Sequence, residues 1–221
     1  MPEEIGLSWV AAQCDDLVDL PVEDLDSLAE RGPLAAVVRI AERSVTDLDR
    51  PAALQLGRDV RRLLDSPLAE ETLHTVWLGS TDKVFDPARD GVGARDWLRG
   101  IEEAWLSAQR RDDPAFVPPA AGPVTDEELR RAVLRVMAPL ATDLTNAAET
   151  GIYPLPLPGL VPAQEQVVVQ CCADLGYRMF LRAVKAYFVA VDENTRDALV
   201  ALGERFGYPR TLVEGGLNHR E

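Results

Sequence analysis

The chain has 221 residues, of which 47% are hydrophobic and 27% charged, so it can bury a substantial core and is too apolar to be disordered throughout. Its formal net charge of −14 would on average repel nucleic acid and anionic membranes, which argues against both as partners. No apolar run is long enough to span a bilayer, and the acidic N-terminus lacks the basic start of a secretory signal. Three cysteines, Cys14, Cys171 and Cys172, are too few for a disulfide framework, so we expect a reducing, cytoplasmic location.

The first half of the chain shows helical periodicity interrupted by proline, glycine and polar residues. Apolar residues recur three and four positions apart, and proline stands at several predicted helix starts, where its missing N–H is tolerated. Ser66 and Pro67 have the pattern of an N-cap followed by a first helical residue. The predicted helices of this half cover residues 5–20, 22–29, 34–43, 51–64 and 68–78.

The second half adds longer helices and a proline-rich segment. Thr125 and Glu128 form a capping box for one of these helices, and Pro139 predicts a kink within it. Asp192 is the predicted N-cap of a later one. Four prolines in residues 112–124 predict a linker that runs over the surface. The predicted helices of this half cover residues 94–111, 126–150, 162–191, 192–206 and 209–214, followed by a mobile tail at 215–221.

Residues 162–191 are the most apolar part of the chain and organise the predicted fold. Their polar residues recur every three or four positions, which places them in one narrow strip along a single long helix. Such a helix has to be covered by others, so we predict an all-α, single-domain bundle of about eight to nine helices over residues 1–214, with this helix at its centre. The strip consists of Gln166, Gln170, Asp174, Arg178, Arg182 and Lys185.

The polar strip permits two interpretations. In the first it is exposed, and Asp174 and Arg178 form an ordinary i, i+4 ion pair on the surface. In the second it lines an internal pocket, so that Arg178→Ala abolishes binding of an acidic small molecule while the fold stays intact. The candidate ligand-binding residues are Gln170, Asp174, Tyr177, Arg178 and Arg182.

An aspartate-rich motif lies near the N-terminus. Asp15, Asp16 and Asp19 form a DDxxD pattern, which is similar to the motif of class I terpene synthases and prenyltransferases, also all-α proteins. That resemblance implies that the three carboxylates hold Mg²⁺ ions that bind a diphosphate leaving group. On a helix over residues 5–20 they point away from the apolar face, and the second metal-binding motif of that family is absent. The metal is expected only if this enzyme hypothesis holds.

A second resemblance concerns residues 29–43. The sequences AERG at 29–32 and RIAER at 39–43 resemble the start of TetR-type regulators, in which a helix-turn-helix precedes an all-α ligand domain that dimerises. The resemblance implies a recognition helix at residues 45–50. That segment contains Asp47 and Asp49, where the phosphates of DNA would approach.

No pattern of catalytic residues is complete in this sequence. We therefore predict a cytoplasmic protein that binds a small molecule or a protein partner, as a homodimer and without a cofactor. One alternative is an enzyme with a cavity inside the helical bundle, either dependent on Mg²⁺ and a diphosphate or a cyclase or isomerase that relies on its scaffold. A further alternative is a TetR-like regulator with a degenerate DNA-binding region.

Overall fold

The computed structural model describes residues 4–15, 26, 30–81, 85–150 and 156–220, and every structural statement below refers to these residues. The fold is all-α, as predicted. None of its described helices is long and apolar enough to cross a membrane. In chain order the elements are α1 (Gly6–Asp15), α2 (Pro33–Asp47), α3 (Arg50–Asp65), α4 (Glu70–Ser80), a 3₁₀ helix (Pro87–Asp90), α5 (Ala94–Asp112), α6 (Glu127–Met137), a 3₁₀ helix (Ala138–Leu140), α7 (Ala141–Thr150), α8 (Leu160–Gln170), α9 (Ala173–Ala186), β1 (Ala190–Val191), α10 (Glu193–Arg205), α11 (Arg210–Glu214) and β2 (Asn218–His219).

Apolar side chains from α1 to the C-terminal turn form one continuous buried cluster. Its largest fully buried members are Trp97 and Trp105 of α5. Trp97 packs edge-on against Trp77 with 5.2 Å between the ring centroids, and the indole N–H of Trp105 donates to the Ala53 carbonyl at 2.9 Å. These contacts join α3, α4 and α5, and α9 packs against α1 and α4 beside them.

The prediction of one long central helix over residues 162–191 is wrong, because the helix is interrupted at Cys171 and Cys172. These two cysteines have non-helical backbone angles and separate α8 from α9. The Ala173 N–H donates to the Val124 carbonyl at 2.9 Å, and the Val124 N–H donates to the sulfur of Cys172 at 3.2 Å. A segment from elsewhere in the chain therefore satisfies groups that a continuous helix would bond internally.

Two predicted helix starts are displaced. Ser66 ends α3 instead of starting α4, because its hydroxyl donates to the Leu63 carbonyl at 2.6 Å and α4 begins four residues later. The N-cap of α6 is Asp126, whose carboxylate accepts the Leu129 N–H at 2.8 Å, and not Thr125. Both helices exist as predicted, so the errors concern only their ends.

Other sequence signals have the predicted effect. Pro139 interrupts the helix predicted over 126–150 with a 3₁₀ turn between α6 and α7. Asp192 caps α10 by accepting the Thr195 N–H at 2.8 Å. The short helix predicted at residues 22–29 lies almost entirely outside the described residues.

The proline-rich segment predicted as a surface linker forms a strap, residues 113–126, that is attached to the globule at several points. Phe116 is 8% exposed, and its ring packs edge-on against an α5 tryptophan at 5.6 Å. The carbonyls of Ala121 and Gly122 each accept a hydrogen bond from Arg62 at 2.9 Å. Together with its bonds to the break between α8 and α9, these contacts make the strap part of the packed structure.

The C-terminal residues predicted as a mobile tail, 215–221, include a short strand. β2 pairs in parallel with β1, so that Asn218 lies opposite Ala190. Leu217, immediately before β2, is buried. This end of the chain is therefore attached beside the C-terminal end of α9.

The break between α8 and α9 determines whether Gly176→Ala lowers or raises the free energy of unfolding. A Cβ at Gly176 would lie 2.4 Å from the Val168 side chain and 2.9 Å from its backbone nitrogen, so we expect the free energy of unfolding to fall by about 1–3 kcal/mol. In one continuous helix the same change would raise it by up to about 1 kcal/mol. Urea denaturation measures the difference. Gly100→Ala on α5 is the control expected to stabilise the protein, because no neighbouring atom of the described residues lies within 4 Å of the new Cβ.

Candidate functional site

Four charged residues meet in the interior, and we call Asp59, Arg62, Asp174 and Arg178 the ion cluster. The first two lie three positions apart on α3 and the last two lie four positions apart on α9, so each pair shares a helical face. Their exposed fractions are 0%, 8%, 6% and 1%. Because two carboxylates balance two guanidinium groups, the cluster meets the condition under which charges are tolerated in a protein interior.

Arg178 is at the centre of the ion cluster. Its two Nη atoms donate to the two oxygens of Asp59 at 2.6 Å each, and its Nε and Nη2 donate to Asp174 at 3.3 Å. Nη1 also donates to the Ile5 carbonyl at 3.3 Å. These bonds use all five N–H groups of the guanidinium, so Arg178 has no donor left for a ligand. The interpretation of the polar strip as exposed is wrong for its part on α9, which is buried. Because Arg178 makes these buried bonds, we no longer expect the fold to stay intact after Arg178→Ala.

Asp59 extends the ion cluster to α1. One of its oxygens accepts the backbone N–H of Leu7 at 3.0 Å, and the other accepts the side-chain amide of Gln55 at 2.9 Å. A buried carboxylate therefore faces the N-terminal end of α1, where the helix dipole favours negative charge. The cluster in this way joins α1, α3 and α9.

Opposite charges and hydrogen bonds outweigh burial in setting the pKa of Asp174. Burial by itself raises that pKa, but Arg178, the hydroxyl of Tyr208 and the charge of Arg62 together bring it below its ordinary value of 3.8. Burial likewise opposes the charge of Arg178, yet the two neighbouring carboxylates raise its pKa well above the ordinary value. Tyr208 donates its hydroxyl proton to Asp174, and burial raises the pKa of this phenol. Asp174 and Arg178 are therefore charged, and Tyr208 is neutral, at neutral pH.

The other predicted ligand-binding residues are dispersed. Tyr177 is buried, donates its hydroxyl to the Leu199 carbonyl at 2.8 Å, and has a pKa raised by burial. Arg182 is also buried, its Nε donates to the Ser80 carbonyl at 3.0 Å, and burial lowers its pKa. Gln170 is exposed at the end of α8, on the far side of the chain break. Of the five candidates, the structure brings together Asp174 and Arg178, which belong to the ion cluster.

A surface cleft borders the ion cluster on the side where Arg62 is found. Its volume is about 230 Å³. The C-terminal end of α3, the strap, the first turn of α6 and the end of α8 form its walls. The cleft is lined by Arg62, Asp65, Ser66, Pro67, Ala121, Pro123, Thr125, Arg130, Gln170 and Cys171.

Two arginines of the cleft have unused hydrogen-bonding capacity. The Nε of Arg130 is shielded from solvent and has no hydrogen-bond partner in the described part of the chain. Arg62 donates through Nε and Nη2 to the strap and through Nη1 to Asp174 and Asp59, so within the described residues one N–H on Nη2 is left. Asp65 is the carboxylate among the lining residues, and since Arg62 is already balanced within the ion cluster, Arg130 and Asp65 leave the rest of the lining without net charge. Arg62 and Arg130 thus bring two guanidinium groups to the wall of the cleft.

Cys171 contributes a thiol to the wall of the cleft. Its sulfur donates to the Arg62 carbonyl at 3.2 Å, and burial raises its pKa to about 12. A thiol that stays protonated at neutral pH is a poor nucleophile. Cys171 is therefore a part of the wall of the cleft and not a reactive thiol.

Sequence reasoning missed three residues of this region, Asp59, Arg62 and Arg130. Asp59 stands in the apolar stripe of α3, between Leu56 and Val60, and a charge on such a face is a signal that could have identified it. Arg130 gives no comparable signal, because its surroundings are created by the strap and by α8.

The predicted metal site is mostly outside the described residues. Asp16 and Asp19 lie outside them, and for Asp15 the structure describes the backbone at the end of α1. Among the described residues, no group of three or more His, Cys, Asp or Glu side chains is placed to hold a metal ion.

Residues 45–50, the recognition segment implied by the resemblance to TetR-type regulators, do not form a helix of their own. The segment consists of the last turn of α2, a two-residue break and the first residue of α3.

Comparisons with known proteins supply no relative on which to base an assignment. No protein-family model, curated protein or solved structure matched this chain.

The ion cluster predicts a large stability loss for Arg178→Met. The change leaves the carboxylates of Asp59 and Asp174 buried without their main partner, and we expect a loss of about 3–5 kcal/mol in the free energy of unfolding. Arg131→Met removes an arginine from an exposed pair with Glu127 and should change it by less than about 0.5 kcal/mol. Equal urea midpoints for the two variants would contradict the role given to the cluster.

Acid should weaken the same cluster through Asp174. Because the pKa of this carboxyl is lower in the folded protein than its ordinary value of 3.8, its contribution to stability is complete above that value and is lost as the pH falls below it. Unfolding free energies of the wild type and Asp174→Asn should therefore converge between about pH 5 and about pH 2. A constant difference across this range would show that Asp174 does not have a lowered pKa.

Proposed function

We propose that this protein binds a small anionic molecule, or the anionic end of a larger one, through an oxyanion group held in the cleft. The observation that carries the proposal is Arg130, whose Nε is shielded from water without a hydrogen-bond partner in the described residues. A buried donor on a charged group costs free energy when it is unpaired, and an oxyanion would remove that cost.

The second donor supports a negatively charged ligand. Arg62 lines the same cleft and keeps one N–H without a partner among the described residues, so guanidinium groups from α3 and α6 can bind one oxyanion together. Guanidinium N–H groups form short, charge-assisted bonds to carboxylate and phosphate oxygens. Thr125 and Gln170 add a hydroxyl and an amide to the lining. On this proposal Gln170 contacts a ligand, as predicted from the sequence, but at a different site.

The ion cluster prepares the cleft for binding. Asp174 and the strap carbonyls hold the Arg62 guanidinium at 3.1 Å and 2.9 Å before any ligand arrives. A donor that is already ordered loses little conformational entropy on binding, which favours affinity. Asp174 and Arg178, predicted to touch the ligand, are on this proposal positioning residues for Arg62.

The size of the cleft limits the ligand. Its volume of about 230 Å³ is below the roughly 300–1,000 Å³ of pockets that enclose drug-sized ligands. A phosphate or a small carboxylate fits within it, and a larger molecule would extend into solvent. The homodimer and the cytoplasmic location stay predictions from the sequence.

Inorganic phosphate is the probe that tests the proposal. A ligand that binds the native state at 100 times its dissociation constant stabilises it by about 2.7 kcal/mol, so phosphate should raise the Tm in a concentration-dependent way. Arg130→Gln should weaken phosphate binding about ten- to a hundredfold, because it removes a charged donor. Arg131→Gln, the neighbouring exposed residue on α6, removes the same charge and should leave the phosphate response unchanged.

Sodium chloride at matched ionic strength separates specific binding from general screening of the acidic surface. Two results would contradict the proposal. One is a wild-type Tm that responds equally to chloride and phosphate. The other is an equal phosphate response in the Arg130 and Arg131 variants.

A further inference from the structure

A second surface, separate from the cleft, lies between α6 and α10, and we call it the α6–α10 groove. Its volume is about 470 Å³. Ala132 and Val136 line it from α6, and Ala198, Ala201 and Leu202 line it from α10. On each helix these residues recur at three- or four-residue spacing, so each helix presents one apolar face. The alanines leave room for another backbone to approach closely.

The two helices that form the groove run antiparallel. Arg205, the last residue of α10, forms an ion pair with Glu128 in the first turn of α6 at 2.8 Å. At the other end Asn194 of α10 lines the same groove as Pro139, which follows α6. Arg135 lies seven residues after Glu128, which corresponds to about 10 Å along α6. The two arginines of the groove are thus separated by about two helical turns.

The charge of the groove is opposite to that of the whole chain. Its two charged lining residues, Arg135 and Arg205, are both positive, whereas the protein carries a formal charge of −14. The Arg205 pair with Glu128 is exposed and worth little, so Arg205 can exchange this partner for another carboxylate. The groove therefore combines apolar lining residues with two positively charged side chains.

We infer that the α6–α10 groove docks an amphipathic helix of an acidic partner protein. Its apolar residues would pack between α6 and α10, and two carboxylates at positions i and i+7 would reach Arg135 and Arg205. A groove between two helices accepts a third helix through anchors at i+3 and i+4, which here lie between the two carboxylates. The two-turn separation of the arginines sets the spacing of the acidic residues.

A labelled synthetic peptide tests this inference by fluorescence anisotropy. The probe is a helical peptide with glutamates at i and i+7 and leucines at i+3 and i+4. Arg135→Glu should weaken its binding about tenfold or more, whereas Arg131→Glu, the same charge change on an exposed residue of α6 outside the groove, should leave it within about twofold. A peptide with lysines in place of the glutamates should bind Arg135→Glu better than it binds the wild type.

Three results would overturn the inference. The first is no binding of the glutamate peptide to the wild type. The second is equal weakening by Arg135→Glu and Arg131→Glu, which would indicate attraction by the overall charge. The third is a wild-type dimer in light scattering that Arg135→Glu converts to monomer, which would make a second copy of this chain the occupant of the groove.

Discussion

The paired hydrogen bonds between Arg178 and Asp59 are the interaction on which the rest of this structure depends. They join α9 to α3 across 119 positions of sequence, at 2.6 Å for each bond. Asp59 also accepts a hydrogen bond from a backbone N–H in the first turn of α1. Asp174 accepts one from the hydroxyl of Tyr208, which lies in the loop before α11. A buried pair of this kind is costly to break, because each partner left alone is an uncompensated charge. The cluster therefore favours one arrangement of these elements over other packings of the same apolar faces.

The same constraint connects the fold to the proposed function. Arg62 belongs to the ion cluster and also to the wall of the cleft. Its guanidinium is therefore held by a buried carboxylate on one side and lines the cleft on the other. Arg130 approaches from α6 and has a shielded Nε without a partner in the described part of the chain. The strap also contributes, since two of its carbonyls accept hydrogen bonds from Arg62. The carbonyl of Val124, near its end, accepts the N–H of Ala173 at the start of α9.

Local signals in the sequence predicted the elements better than their arrangement. The cap at Asp192 and the interruption at Pro139 depend on residues within one turn, and both have the predicted effect. The break at Cys171 and Cys172 depends on Val124, 48 positions before Cys172, and helical periodicity carries no information about such a partner. Periodicity placed Asp174 and Arg178 on one face, but it could not show that α3 supplies their counter-charges.

A crystal structure of the protein grown or soaked in phosphate would show whether the cleft binds an anion. We expect one oxyanion in the cleft, bonded to the Nε of Arg130 and to the Nη2 N–H of Arg62 that has no partner among the described residues, with the ion cluster unchanged beneath it. A cleft that holds water alone, with the Arg130 guanidinium turned out to solvent, would contradict the proposal that this site binds anions.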